Sequence, residues 1–262
     1  MKKKLLIAGI ITLAAAVLIA AAVFIVNYVF GGNLQPQKPA EATTAATEAT
    51  TATDEKGNVI VPETEPLADD PTELLSYMAV NDELYSWIVA PDTQINNPVA
   101  QAKMQDNFYI DHDVNKDYSF AGTIYTQLCN SKDYSDRVTV LYGHNMLNGS
   151  MFADLHKYRD ETFFNDHPYF YIYTKDSKLT YQVVSAFDYD DRHIINSFDF
   201  RDDKVFTEWL DELQHPHTLS ANVRNGVKLD TNSKIVVLST CQNNDEGRYL
   251  VTGVLIKTEK TH

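Results

Sequence analysis

Two apolar runs divided by a short polar segment, in the stretch KIVVLSTCQNNDEGRYLVTGVLI from Lys234 to Ile256, restrict this chain more than any other feature. Ile235, Val236, Val237 and Leu238 form a β-branched apolar run followed by Ser, Asn, Asp and Gly, the pattern of a buried strand entering a loop. Arg248 to Ile256 reads as the next strand. Paired as antiparallel neighbours, the two would bring Cys241 and Arg248 to the same sheet end. Thiolate chemistry needs such a cationic neighbour.

The rest of the folded part, from about Pro71, is built of short elements. Thr72 can cap a helix whose stripe is Leu74, Leu75, Met78 and Leu84. Trp87 leads into IVAPDTQINNPV, where Pro91, Asp92, Asn97 and Pro98 signal turns between short strands. FYIDH (108–112), GTIYTQL (122–128) and RVTVLYG (137–143) read as strands, and SMFADLHKYRD (150–160) as a helix that Ser150 caps. YFYIYT (169–174) and LTYQVVSAFDY (179–189) form a hairpin turning at 175–178, and Val205, Phe206, Trp209, Leu210 and Leu213 share one face of a helix from Asp202 to Leu213. Many short strands with few helices predict a mainly β fold, a closed barrel with helical decoration.

Before this domain lie two segments of different composition. Lys2, Lys3 and Lys4 precede an uncharged apolar stretch from Leu5 to Phe30. It is long enough to span a hydrocarbon core of about 30 Å at about 1.5 Å per residue. The flanking charge predicts that residues 1–30 form a cytoplasmic tip and an uncleaved transmembrane signal anchor, with the remainder outside. A cleaved signal peptide is the alternative, but its apolar region is shorter and no small-residue cleavage site follows. Residues 31–70, rich in Thr, Ala, Glu and Pro, hold too little apolar surface to fold and read as a stalk whose span is on the order of 35 Å.

The formal net charge of −14 argues against nucleic acid, whose binding needs clustered Lys and Arg. Two cysteines, Cys129 and Cys241, could form a disulfide, the ordinary use of such a pair outside the cell. Neither they nor the scattered histidines have the spacing of a zinc site, and no cofactor is implied. A free thiol is only a few per cent ionised at neutral pH, so a cysteine nucleophile needs an imidazole or another cation beside it. His112, His156, His167, His215, His217 and His262 read as surface histidines; His112, between two aspartates, could also be a weak metal ligand. His144 differs: it follows a strand and the flexible Gly143, the same kind of position as Cys241. Either residue alone also fits an ordinary strand-to-loop turn, but with Arg248 they make a Cys/His/Arg constellation at strand ends.

LYGHN (141–145) with SMF after it, LSTC (238–241) and an Arg opening the last strand resemble the sortases, membrane-anchored cysteine transpeptidases of Gram-positive bacteria. The likeness extends over about 71–260, and the helix inserted at 202–213 resembles class B. Val237 stands where the family signature usually has Thr, and Gln242 where an acid is often found. The resemblance implies a sortase barrel over 71–262 in which Cys241 is the nucleophile, His144 the proton donor and Arg248 the oxyanion partner. The enzyme would cleave a C-terminal sorting signal after threonine and transfer the surface protein, through a thioester, to a peptidoglycan amine. Substrate contacts carried over from class B are Asn96, Tyr142, Ser239 with Thr240, and the loop residues Tyr189, His193 and Ile194. A pilus-polymerising sortase, a secreted cysteine hydrolase using the same pair and a non-catalytic wall-binding module are the alternatives.

Overall fold

The computed structural model describes residues 67–218, 220–242 and 247–261. The apolar segment from Leu5 to Phe30 and the stalk as far as residue 66 lie outside these. Among the described residues no helix is long and apolar enough to cross a membrane.

A short helix, α1 (Leu74–Val80), precedes β1 (Leu84–Val89), β2 (Asn96–Ala100), β3 (Ile124–Tyr125) and β4 (Val138–Tyr142). A 3₁₀ helix (Ala153–Arg159) runs into α2 (Glu161–Asp166), and β5 (Tyr169–Thr174) and β6 (Ser177–Tyr189) form the expected hairpin. Then come α3 (Ile194–Ser197), α4 (Asp203–Gln214), β7 (Ala221–Val223), β8 (Ile235–Cys241) and β9 (Arg248–Lys260).

The strands follow the order β5-β1-β2-β3-β4-β8-β9-β6, and β5 pairs back onto β6, so among the described residues eight strands close a barrel while β7 adds to the outer part of β6. Pairing is antiparallel except for β2 with β3 and β4 with β8. β6 pairs with β5 over Lys178–Gln182 and with β7 over Ser185–Phe187, and its register against β9 shifts between Val183 and Ser185. A bulge bends a strand, and here it falls where β6 changes partner.

β8 is apolar at successive positions because both its faces are covered. Val236 and Leu238 join Ile88, Phe170, Val183 and Val251 in the cluster that fills the barrel, with Leu155 and Tyr158 of the 3₁₀ helix and its N-cap residue Phe152 packed among them. Ile235 and Val237 turn the other way, onto Phe206, Trp209, Leu210 and Leu213 of α4. That helix starts where expected, with the Asp202 carboxylate accepting from the N–H groups of Lys204 and Val205.

Several elements differ from the sequence reading. FYIDH is not a strand but holds a 3₁₀ turn (Phe108–Ile110), because Asn107 before it adopts a left-handed φ of 63° and breaks the extended run. Segment 150–160 is 3₁₀ rather than α, and Ser150 does not cap it; the Asp160 side chain instead caps α2 by accepting from Phe163 N–H. The α1 stripe is shorter than predicted, with Leu74 buried, Leu75 exposed and Leu84 already in β1. Thr72 lies one residue before its cap position and accepts a long 3.4 Å bond from Leu74 N–H. Residues 67–70, stalk-like in composition, are tied to the barrel, since Ala68 N–H donates to Lys260 O at 2.8 Å.

Candidate active site

β8 and β9 are antiparallel, and their last paired residues are Cys241 and Arg248. Register therefore makes a thiol-bearing strand end face a cation. Arg248 Nη1 donates to Cys241 Sγ at 3.3 Å, a contact that strengthens as the sulfur gains negative charge. Both cysteines are free thiols, so the disulfide reading is excluded: Cys129 lies exposed on another segment, and partial desolvation of its sulfur, with the nearby Asp106 charge, pushes its thiol up.

β4 runs parallel to β8, pairing Tyr142 with Ser239, and Gly143 N–H donates to Ser239 O. This carries His144 and Asn145 to the end of the sheet where Cys241 lies. Gly143 is needed for room rather than flexibility: a Cβ there would sit 2.8 Å from the Phe152 ring. His144 Nε2 donates to the Ile110 carbonyl at 2.7 Å, which puts a proton on that nitrogen, and its ring stacks on Phe120 at 5.8 Å. Asn145 Nδ2 donates to the Cys241 carbonyl oxygen at 3.3 Å.

His156 is not the surface histidine that the sequence suggests. It is half-buried, its Nε2 lies 3.0 Å from the same Cys241 carbonyl, and burial holds its pKa below the usual imidazole value. Both it and Asn145 were missed as site residues. The HN pair after Gly143 was a usable signal for Asn145, whereas nothing local marks His156.

The expected substrate contacts divide. Tyr142 stacks on Tyr125 at 5.5 Å and faces His193 at 6.3 Å, making an aromatic wall. His193 accepts from Asn196 N–H at Nδ1, so Nε2 carries the proton it gives to Gln127 Oε1. Burial pushes the Tyr125 phenol up to about 12 and raises Tyr142 and Tyr189 as well, so all three stay neutral. Tyr189 pairs with Arg248 across β6 and β9, and its carbonyl accepts from Gln242 Nε2. Ser239, Thr240 and Ile194 are buried, Thr240 completely, and do not face solvent. Asn96 is occupied by β1: its Oδ1 accepts from Trp87 Nε1 at 2.6 Å. Among the described residues no group of His, Cys, Asp or Glu is arranged to hold a metal; His112 instead contacts Asp111 and the Phe108 carbonyl.

A sortase domain model matches residues 88–256. The chain is 28% identical over 187 residues to sortase B of Listeria monocytogenes, covering 70% of this chain and 74% of that protein. The crystal structure of Clostridium perfringens sortase B is 30% identical, with a TM-score of 0.63 over 70% of this chain and 99% of that one. A Streptococcus pyogenes class B sortase involved in pilus biogenesis is 25% identical, with a TM-score of 0.62 over 72% and 100%. With the barrel, the inserted α4 and the strand-end thiol already in view, the chain belongs to the sortase family of cysteine transpeptidases and is class B-like.

Proposed function

We propose that the chain is a class B-like sortase that cleaves a C-terminal sorting signal after threonine and joins the released surface protein to a peptidoglycan amine, held at the outer face of a Gram-positive membrane by its N-terminal apolar segment. In this reading Cys241 attacks the scissile carbonyl, and Arg248, next to the sulfur, is the donor to the tetrahedral oxyanion. His144, carrying as an imidazolium the proton lost by the Cys241 thiol, gives it to the leaving amine. An imidazolium keeps the Ile110 bond through Nε2 and still has a second N–H to donate. The acyl group rests on sulfur as a thioester until an amine, deprotonated by His144, attacks it. The half-buried Tyr142 and His193, backed by the buried Tyr125 and Tyr189, are the proposed substrate face.

The chief support is the 3.3 Å contact between the Arg248 guanidinium and Cys241 Sγ across one strand pair. The test incubates the detergent-solubilised full-length chain with a sorting-signal peptide, with and without an amine acceptor. The expected result is a mass-resolved thioester on Cys241 and an amide product when amine is present. Acid product regardless of amine would establish a hydrolase and sink the transpeptidase reading. The pilus-linked relative makes a lysine of another protein the rival acceptor, and mass spectrometry of the product linkage discriminates the two.

A further inference from the structure

Cys241 is the last residue of β8, where ladder pairing ends, so other groups must set the orientation of the peptide that follows it. Its carbonyl oxygen receives two side chains from different segments, His156 Nε2 at 3.0 Å and Asn145 Nδ2 at 3.3 Å. On the far side of the same peptide, Gln242 N–H donates to Gly247 O at 3.2 Å.

His156 is itself held on several sides. Arg159 Nε donates to His156 Nδ1 at 3.2 Å. A guanidinium can only donate, so Nδ1 is the acceptor and the ring hydrogen sits on Nε2, where the Cys241 carbonyl needs it. Arg159 is fixed by Asp188 of β6, with contacts of 2.5 and 3.2 Å, and lies 4.2 Å over the Tyr249 ring. The His156 ring stacks on Tyr249 at 4.9 Å. Burial favours the neutral imidazole this arrangement requires.

We infer that His156 is a positioning residue for the nucleophile: through its Nε2–H bond to the Cys241 carbonyl it fixes the Cys241–Gln242 peptide and so directs Sγ toward Arg248. The inference rests on Cys241 being the nucleophile. It assigns the 3₁₀ segment, which otherwise only fills the barrel, a part in the chemistry.

Two substitutions separate positioning from packing. In His156→Gln the amide nitrogen reaches the place of Nε2, whereas in His156→Asn it reaches only that of Nδ1. Two readouts are taken on the full-length chain: steady-state transpeptidation of a sorting-signal peptide, and alkylation of Cys241 by iodoacetamide, followed by mass spectrometry of the Cys241 peptide so that Cys129 does not interfere. Misdirection of a reacting atom acts on the chemical step, so H156N is expected to lower kcat about tenfold with KM within about twofold of wild type. It should slow Cys241 alkylation as well, and H156Q should restore most of both. Wild-type kcat and alkylation in H156N, or equal impairment in H156Q and H156N, would overturn the inference. Alkylation needs no sorting peptide. A wild-type chain that alkylates but transfers nothing would count against the transpeptidase reading and leave His156 to be judged by the alkylation rates alone.

Discussion

A one-residue slip of β9 against β8 would turn Arg248 to the opposite face, so the contact with Cys241 depends on register as much as on residue type. Removing a single oxyanion donor costs about 10²–10³ in kcat. In the proposed role of Arg248 as that donor, Arg248→Ala is expected to lower kcat by about that factor with a smaller change in KM, measured by steady-state transpeptidation. Arg248→Lys should recover only part of it, because a point charge lacks the planar fork of donors. His156 makes a separate prediction through pH. Burial lowers its native pKa below the ordinary 6.5, so the folded state binds fewer protons there than the unfolded state does. The stability this provides is complete above 6.5 and is lost as pH falls from 6.5 through the depressed native value. Urea midpoints between pH 7.5 and 5 should fall less for His156→Gln than for wild type; parallel curves would show that His156 does not titrate in this way.

At the scale of elements, caps and backbone conformation decide where each segment ends. Asp202 satisfies two orphan N–H groups at the start of α4, and loss of such a cap costs about 1 kcal/mol. Asp202→Ala should lower the denaturation free energy by about that amount in chemical unfolding. It should leave transpeptidation unchanged, since α4 supports the outer faces of β8 and β9 and does not line the thiol. Sequence periodicity found α4 and the β5–β6 hairpin because their apolar spacing is regular. It missed the 3₁₀ turn at Phe108–Ile110 because the left-handed Asn107 before it leaves no mark in the hydrophobic pattern. That turn presents the Ile110 carbonyl to His144.

For the whole molecule, closure is the organising fact: β5 pairs with both β1 and β6, so neither of the strands at the hairpin is left as an open edge. Closure crowds the interior. Gly253, in the middle of β9, lies where a Cβ would collide with the Phe170 ring. Overpacking a filled core costs about 1–3 kcal/mol, so Gly253→Ala should lower Tm by several degrees by calorimetry. The paired variant Gly253→Ala with Phe170→Leu should recover part of the loss. Two single losses that simply add would argue against direct contact.

The sequence by itself determined the mainly β class, the inserted helix, and Cys241, His144 and Arg248 as the residues to watch, because strand ends and β-branched runs are local signals. It also pointed to Tyr142 and His193, whose rings the fold brings to 6.3 Å of each other. Tertiary structure alone decided what surrounds them. Thr240 and Ile194 are buried, Asn96 is taken by Trp87, and His156 reaches the Cys241 carbonyl from 85 residues away. No periodicity records such contacts. A parallel pairing such as β4 with β8 joins residues separated by a long crossover, and only the closed barrel brings the 3₁₀ segment beneath the strand end that carries Cys241.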